Sequence, residues 1–243
     1  MPLYQLTLHE TAQKRSQPDN WCLCLGVLGK PLIVCPKRFL ENYQIFIDAA
    51  DLLSVRGVPL CVVSEIAMPG GNIDFFLVAL RDGQIMDYLG VEIQGLDTTG
   101  SGGIWEARED LRRGAMGNSY RYGINWRMSA KTILIQMHHK ARAFEDLGKK
   151  LVLAIQEQFY DYVTREFETG HLRPTVDADT VRFHAYDLVE INGQYRLRIT
   201  RKASTNALGI EKMLGIGREP TVSPEVVLQR IQAKLPQAIA LST

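Results

Sequence analysis

The sequence predicts an α/β protein. Three observations predict it. Three sheet-forming segments follow one another between Pro59 and Leu96, two helix-periodic segments follow between Ser129 and Phe167, and a strand pair flanks Asn192-Gly193. The chain has 243 residues, 46% hydrophobic and 23% charged, which is ordinary globular composition and excludes collagen-like, coiled-coil and disordered classes. It reads as a single domain over residues 1–243. Within it, residues 20–61 carry a cysteine element and residues 171–243 form a C-terminal hairpin–helix extension.

The elements follow in order. Residues 1–20 are polar and read as a loose arm. Trp21–Leu28 and Leu32–Cys35 are apolar runs around Gly29-Lys30-Pro31, a hairpin pattern. Phe39, Leu40, Tyr43, Phe46, Ile47, Ala50 and Leu53 have helical spacing. Pro59–Met68 is β-like and ends at Pro69-Gly70-Gly71. Ile73–Leu80 is an apolar strand, Arg81–Gln84 a turn, and Ile85–Leu96 a further strand. Residues 97–127 are polar, glycine-rich and basic, a connection long enough to be functional. Ser129–Phe144 and Asp146–Phe167 read as two helices broken at Leu147-Gly148. Val181–Ile191 and Gln194–Thr200 flank Asn-Gly, a strong hairpin signal. Ser223-Pro224-Glu225 opens a last helix, with proline at its first position.

Composition narrows function. Lys+Arg total 28 and Asp+Glu 27, so a passively basic nucleic-acid coat is excluded, while a basic cleft beside an acidic outer face is not. Four cysteines are too few for a disulfide scaffold of this size. No apolar run approaches a membrane span, and Met1–Gln5 lack the basic region and apolar run of a signal peptide. The expectation is a soluble protein of a reducing compartment.

Three acids stand in three consecutive apolar strands: Glu65, Asp74 and Glu92. A hairpin with a short turn can bring Asp74 beside Glu92. Two such carboxylates would hold Mg²⁺, a hard cation that takes oxygen ligands, and the ion would activate water and stabilise a phosphodiester in displacement. Glu92 and Gln94 share a strand face because the side-chain period is two. Gln94 would then lie beside the ion and bond the attacking water, and Ile93 would offer its carbonyl. The alternative is that these acids are structural, an end residue and a polar pair of an edge strand.

Four cysteines, Cys22, Cys24, Cys35 and Cys61, could make a tetrahedral site for Zn²⁺ or iron. Their spacing is not a standard paired-knuckle pattern, and Cys61, in an apolar strand, reads equally as a small hydrophobe. Asn125, Arg127, Ser129 and Lys131 precede or open a helix, where a phosphate can sit; Ser129 reads equally as its N-cap. On that helix Gln136 or His138 could support the site. Arg196 and Arg198 share one strand face and could read guanine, or simply be solvated.

The Asp-x(17)-Glu-x-Gln core at residues 74–94, the upstream WCLC…CPKRF run at 21–39 and the downstream INWRMSAKTILIQMHHKARAFE run at 124–145 together resemble NotI-type type II restriction endonucleases. These belong to the PD-(D/E)XK nuclease superfamily, here with Gln in place of the usual Lys. The resemblance implies a mixed central sheet flanked by helices and Mg²⁺-dependent cleavage of double-stranded DNA by a homodimer at a palindromic, GC-rich site. It also implies a cognate DNA methyltransferase and a bacterial cytoplasm. Asp74 and Glu92 would be metal ligands, Gln94 would take the lysine's place without its charge, and Glu65 would be an outer acid. The four cysteines would hold structural iron or Zn²⁺ near the N-terminus. A repair or phage nuclease of the same superfamily, or a non-enzymatic DNA-binding module, are the competing readings.

Overall fold

The protein is described here from a computed structural model covering residues 23–25, 31–100, 103–113, 122–217 and 223–237. The N-terminal arm, Cys22 and much of the glycine-rich connection lie outside the described residues.

Strands β1 (Leu23–Leu25) and β2 (Pro31–Ile33) pair antiparallel. A 3-10 segment, Pro36–Tyr43, then leads into α1 (Gln44–Ala49) and a 3-10 turn, Ala50–Leu52. β3 (Leu60–Met68), β4 (Gly71–Arg81) and β5 (Gln84–Gln94) form an antiparallel meander. The connection after it carries β6 (Thr98–Thr99), α2 (Gly103–Arg113) and β7 (Gly123–Ile124). Then come α3 (Trp126–Asp146), β8 (Leu151–Gln156), α4 (Glu157–Glu166), β9 (Arg173–Pro174), β10 (Val181–Ile191) and β11 (Gln194–Thr205). Helices α5 (Ala207–Met213) and α6 (Pro224–Lys234) follow.

The main sheet has seven strands in the order β3-β4-β5-β8-β10-β11-β9. β8 runs parallel to both neighbours, β5 and β10, and the other pairs are antiparallel. The sheet is therefore mixed and mostly antiparallel. Each parallel step is spanned by a helix, α3 before β8 and α4 after it, as a parallel crossover requires. The C-terminal hairpin is hydrogen-bonded into this sheet rather than appended to it.

Two sequence expectations differ from the structure. Residues Asp146–Phe167 were expected as one helix, yet Leu151–Gln156 is the central strand and only Glu157–Glu166 is helical. All six strand residues are buried, so the run shows no alternation, and a short apolar run reads as strand or helix alike. Residues Phe39–Leu53 were expected as a helix, yet the chain kinks at Glu41, and Asn42 and Tyr43 take left-handed φ. The buried Glu41 carboxylate accepts from the Leu197 N–H at 3.0 Å and pairs with Arg38 at 3.2 Å, which binds the kink to β11. The Asn192-Gly193 turn forms as expected, with φ of 52° and 75°.

Both sheet faces are covered. Leu151, Leu153 and Ile155 face a core with Ile133, Met137 and Phe144 of α3, Phe159 of α4 and Ile210 of α5. Val152 and Ala154 face the opposite core, with Phe39, Ile45 and Phe46 of the Pro36–Ala49 segment. Each such side chain stabilises the fold by roughly 1.5–3 kcal/mol. Among the described residues, no helix is long and apolar enough to cross a membrane.

One buried group on β10 makes stability sensitive to acid. His184 is 1% exposed, and its Nδ1 has no hydrogen-bond partner among the described residues. Burial, reinforced by Lys202 and Arg182, pushes its imidazole from 6.5 to about 3. The unfolded chain therefore binds a proton near pH 6.5 that the folded chain refuses until about pH 3. Stability from this group is complete above pH 6.5 and is lost as the pH falls through that window, at roughly 1.4 kcal/mol per pH unit. Urea midpoints of His184→Leu should fall less steeply than those of the wild type between pH 6 and pH 4; parallel slopes would refute the assignment.

Candidate active site

The site lies where the ladder between β4 and β5 stops. Those strands pair from the Arg81↔Gln84 turn to Phe75↔Val91 and no further. Beyond that last rung, Asp74 puts its carboxylate into the gap. Its Oδ2 accepts from the Ile93 N–H at 2.9 Å, replacing a ladder bond with a side-chain bond. Glu92 answers from the other strand, with Oε1 3.4 Å from the Asp74 N–H. The expected juxtaposition of Asp74 and Glu92 is therefore present. Because the N–H and C=O of a strand residue lie on the same edge, the Ile93 carbonyl faces the same gap.

Glu65 completes the corner. β3 and β4 pair at Ser64↔Phe75 and at Ile66↔Ile73, but the rung between, Glu65 opposite Asp74, is missing. Glu65 has φ of 57°, a conformation that costs a non-glycine residue energy and clusters at functional sites. Both neighbours of Asp74 in the sheet thus give up regular pairing beside it.

The electrostatics follow from burial. Glu92 is 2% exposed. Loss of water, and then the Asp74 charge, push its carboxyl from 4.5 up to about 7. Asp74 is also raised, chiefly by burial, while the Ile93 N–H and Lys140 oppose the shift and Glu65 adds to it. Two acids that each raise the other's cost of ionisation are a site that a cation would relieve.

Sequence reasoning missed Lys140. Its Nζ lies 2.8 Å from Glu92 Oε2, and the residue is 4% exposed. Lys140 sits on the buried stripe of α3, with Ile133, Met137 and Phe144, at helical spacing. A lysine in phase with a core stripe is the signal that could have found it, because a buried ammonium needs a charged partner. Gly70 helps to hold α3 there. It has φ of 93°, and a Cβ on it would fall 3.0 Å from the His139 carbonyl carbon, so the β3–β4 turn packs directly on the helix.

The other expected residues separate. Gln94 is partly buried, and its Nε2 donates to the Gly95 carbonyl at 2.6 Å. Gln136 is exposed and His138 lies 3.9 Å from Glu211, so neither supports Glu92. Asn125 caps α3 by accepting from the Met128 N–H. Ser129, expected at DNA, is fully buried; its hydroxyl donates to Asp97 and accepts from the Asp97 N–H, so it ties down the connection instead. Arg127 and Lys131 are exposed on the first turns of α3. Arg198 is exposed on β11, and Arg196 is exposed but paired with Glu41 at 3.2 Å.

The cysteines do not converge as expected. Cys22 lies outside the described residues, and Cys24 is on β1 opposite Leu32. Cys35 follows β2 at the far end of β5, where a Cβ on Gly95 would fall 2.3 Å from the Val34 carbonyl oxygen. Cys61 pairs with Val78, which pairs with Tyr88 near the start of β5. From Tyr88 to Gly95 the strand rises about 23 Å, so Cys35 and Cys61 cannot ligate one ion. Cys61 packs on the α3-side core as a small apolar group. Among the described residues, no group of three or more His, Cys, Asp or Glu side chains could hold a metal. Mg²⁺ does not need one, since one or two carboxylates with carbonyl, water and phosphate oxygens suffice.

The family described as "Restriction endonuclease NotI" matches residues 23–197, well over half of the chain and all of β3, β4, β5, α3 and β8. No curated protein matches.

If Asp74 raises Glu92 as this geometry requires, Asp74→Asn should lower the Glu92 titration midpoint from about 7 in the metal-free protein. Carbon-13 NMR of the glutamate carboxyls measures it. An unchanged midpoint would show that the two carboxylates do not sense each other.

Proposed function

The chain belongs to the NotI restriction endonuclease family, and on that premise we propose a type II enzyme of the PD-(D/E)XK superfamily. It hydrolyses duplex DNA at a palindromic, GC-rich site, with Mg²⁺ as cofactor. As a restriction endonuclease its substrate is DNA and its reaction is hydrolysis; the metal, the symmetry and the site are this proposal. The carrying observation is the interrupted ladder that sets Asp74 against Glu92.

Asp74 and Glu92 would hold the ion, with the Ile93 carbonyl as a neutral third ligand. When bound, Mg²⁺ supplies an acidified water and positive charge for the phosphodiester. Asp74 is fixed by the Ile93 N–H, so its free oxygen has one direction to point. Glu92 is buried, so bulk water has almost no access to its carboxylate. Gln94 donates to Gly95, which leaves its amide oxygen to accept from the attacking water. Glu65 lies outside this pair, where its charge acts on Asp74. Arg127, Lys131 and Arg198 are exposed cations for phosphate or base contact. The proposal includes a homodimer, matching a palindrome by its own two-fold axis. It also includes a cognate methyltransferase in the same bacterial cytoplasm, with no contact between the two proteins.

A structural iron or Zn²⁺ belongs to the same proposal in a narrower form. Cys22, Cys24 and Cys35 would share it with a ligand other than Cys61. Cys35→Ser should lower the metal content of the purified protein, and Cys61→Ser should leave it unchanged. Metal lost equally from both variants would mean that Cys61 is a ligand after all.

Unmethylated genomic and phage DNA, incubated with Mg²⁺ or with EDTA, tests the main reading. Discrete fragments are expected with Mg²⁺ alone, and their ends give the site. Glu92→Ala should abolish them while gel-shift binding in Ca²⁺ persists. Fragments in EDTA, or cleavage by Glu92→Ala, would refute the metal site.

A further inference from the structure

Hydrolysis of a phosphodiester builds negative charge on the phosphoryl oxygens, and a site must meet it with fixed positive charge. Gln94 cannot, because an amide is neutral and this one is engaged with Gly95. The ammonium against the paired acids comes from another element: Lys140 of α3, 2.8 Å from Glu92 Oε2.

Stability does not explain this ion pair. A buried ion pair gains little over apolar side chains of similar volume, and often loses to them. With an apolar residue at 92 as well, a leucine or methionine on the stripe between Met137 and Phe144 would complete the core without desolvating two charges. The geometry is also directional. Lys140 takes one Glu92 oxygen, and the other is turned toward the Asp74 backbone and the open gap. Loss of the lysine would free the carboxylate to rotate, and would leave two facing acids with less opposing charge. The β3–β4 turn packs on the same helical turn, where a Cβ on Gly71 would fall 3.7 Å from Lys140 Cε. Helix, turn and carboxylate are thus held in one place.

Building on the nuclease reading above, we infer that Lys140 is a positioning residue of the cleavage reaction. From helix α3 it fixes the Glu92 carboxylate and supplies the positive charge that strand position 94 lacks. The charge of the site is divided between two elements, acids on the strands and cation on the crossover helix.

Single-turnover cleavage of plasmid DNA carrying the wild-type site tests this. Lys140→Met should slow cleavage by about a hundredfold, as loss of one preorganised charge does. Affinity for the same DNA in Ca²⁺, and KM, should stay within about threefold, since no direct DNA contact is removed. Stability falls in either case, because Glu92 loses its buried partner; a merely structural role would leave cleavage by the folded variant at the wild-type rate. The decisive variant is Lys140→Met combined with Gln94→Lys, which returns a cation to Glu92 from the strand. It should recover at least about tenfold of the lost rate. If Lys140→Met alone does not fold, the double variant carries the decision through its own cleavage and melting curve. Wild-type cleavage by Lys140→Met, or a folded double variant that stays inactive, would overturn the inference and leave the nuclease reading standing. Failure of the wild-type protein to cleave with Mg²⁺ would overturn the nuclease reading itself.

Discussion

A carboxylate with almost no access to water, Glu92, is the constraint around which this molecule is arranged. An ionised group in that position costs several kcal/mol unless fixed charges and donors replace its hydration. The chain provides them from two elements, Lys140 on α3 and the Asp74 backbone N–H on β4, and the turn at Gly70 packs against α3 beside them. Each lies far from Glu92 in sequence. The parallel step from β5 to β8 demands a crossover helix, and that helix delivers the ammonium. The topology of the sheet and the charge balance of the site are therefore one requirement.

The same corner shows how a sheet makes room for chemistry. A regular ladder satisfies its own N–H and C=O groups and offers nothing to a ligand. Here pairing is withheld on both sides of Asp74: toward β5 the ladder ends before it, and toward β3 its rung is missing. The Asp74 carboxylate satisfies the Ile93 N–H that a rung would have used. Glu65 takes a left-handed conformation on the other side. On the other side of Phe75↔Val91 the ladder runs without a break as far as Ala79↔Asp87, so the irregularity at Asp74 is flanked by regular sheet.

Much of this was legible in the residues. Acids in consecutive apolar strands, Asp74 and Glu92, marked the candidate site because burial of charge needs a reason, and the structure sets them side by side; the Asp82-Gly83 and Asn192-Gly193 turns fixed both hairpins. What was not legible involved placement between distant segments. Leu151–Gln156 carries no alternation because it is buried on both faces, so its helical reading came from periodicity borrowed from the helix after it. Cys61 looked like a partner of the N-terminal cysteines by count, but register along β4 and β5 separates them. Ser129 was correctly placed at the start of a helix, yet its hydroxyl turned inward to Asp97. The signal for Lys140 is its phase on the helix, in register with Ile133, Met137 and Phe144, which residue type alone does not reveal.

Position 94 shows why charge would move from strand to helix. The Gln94 amide is tied to the Gly95 carbonyl, and Gly95 lies hard against the backbone between Val34 and Pro36. Nearby, Gln156 at the end of β8 bonds the Ile33 N–H and the Pro31 carbonyl, so this end of the sheet is a seam closed by neutral amides. A lysine at 94 would reach Glu92 from beside that seam, at the cost of the one bond that Gln94 makes to Gly95. At 140 the stem instead runs through apolar core, and only the ammonium meets a charge. The seam that anchors the N-terminal hairpin and the cation at Glu92 thus occupy different elements, and each can be satisfied without compromising the other.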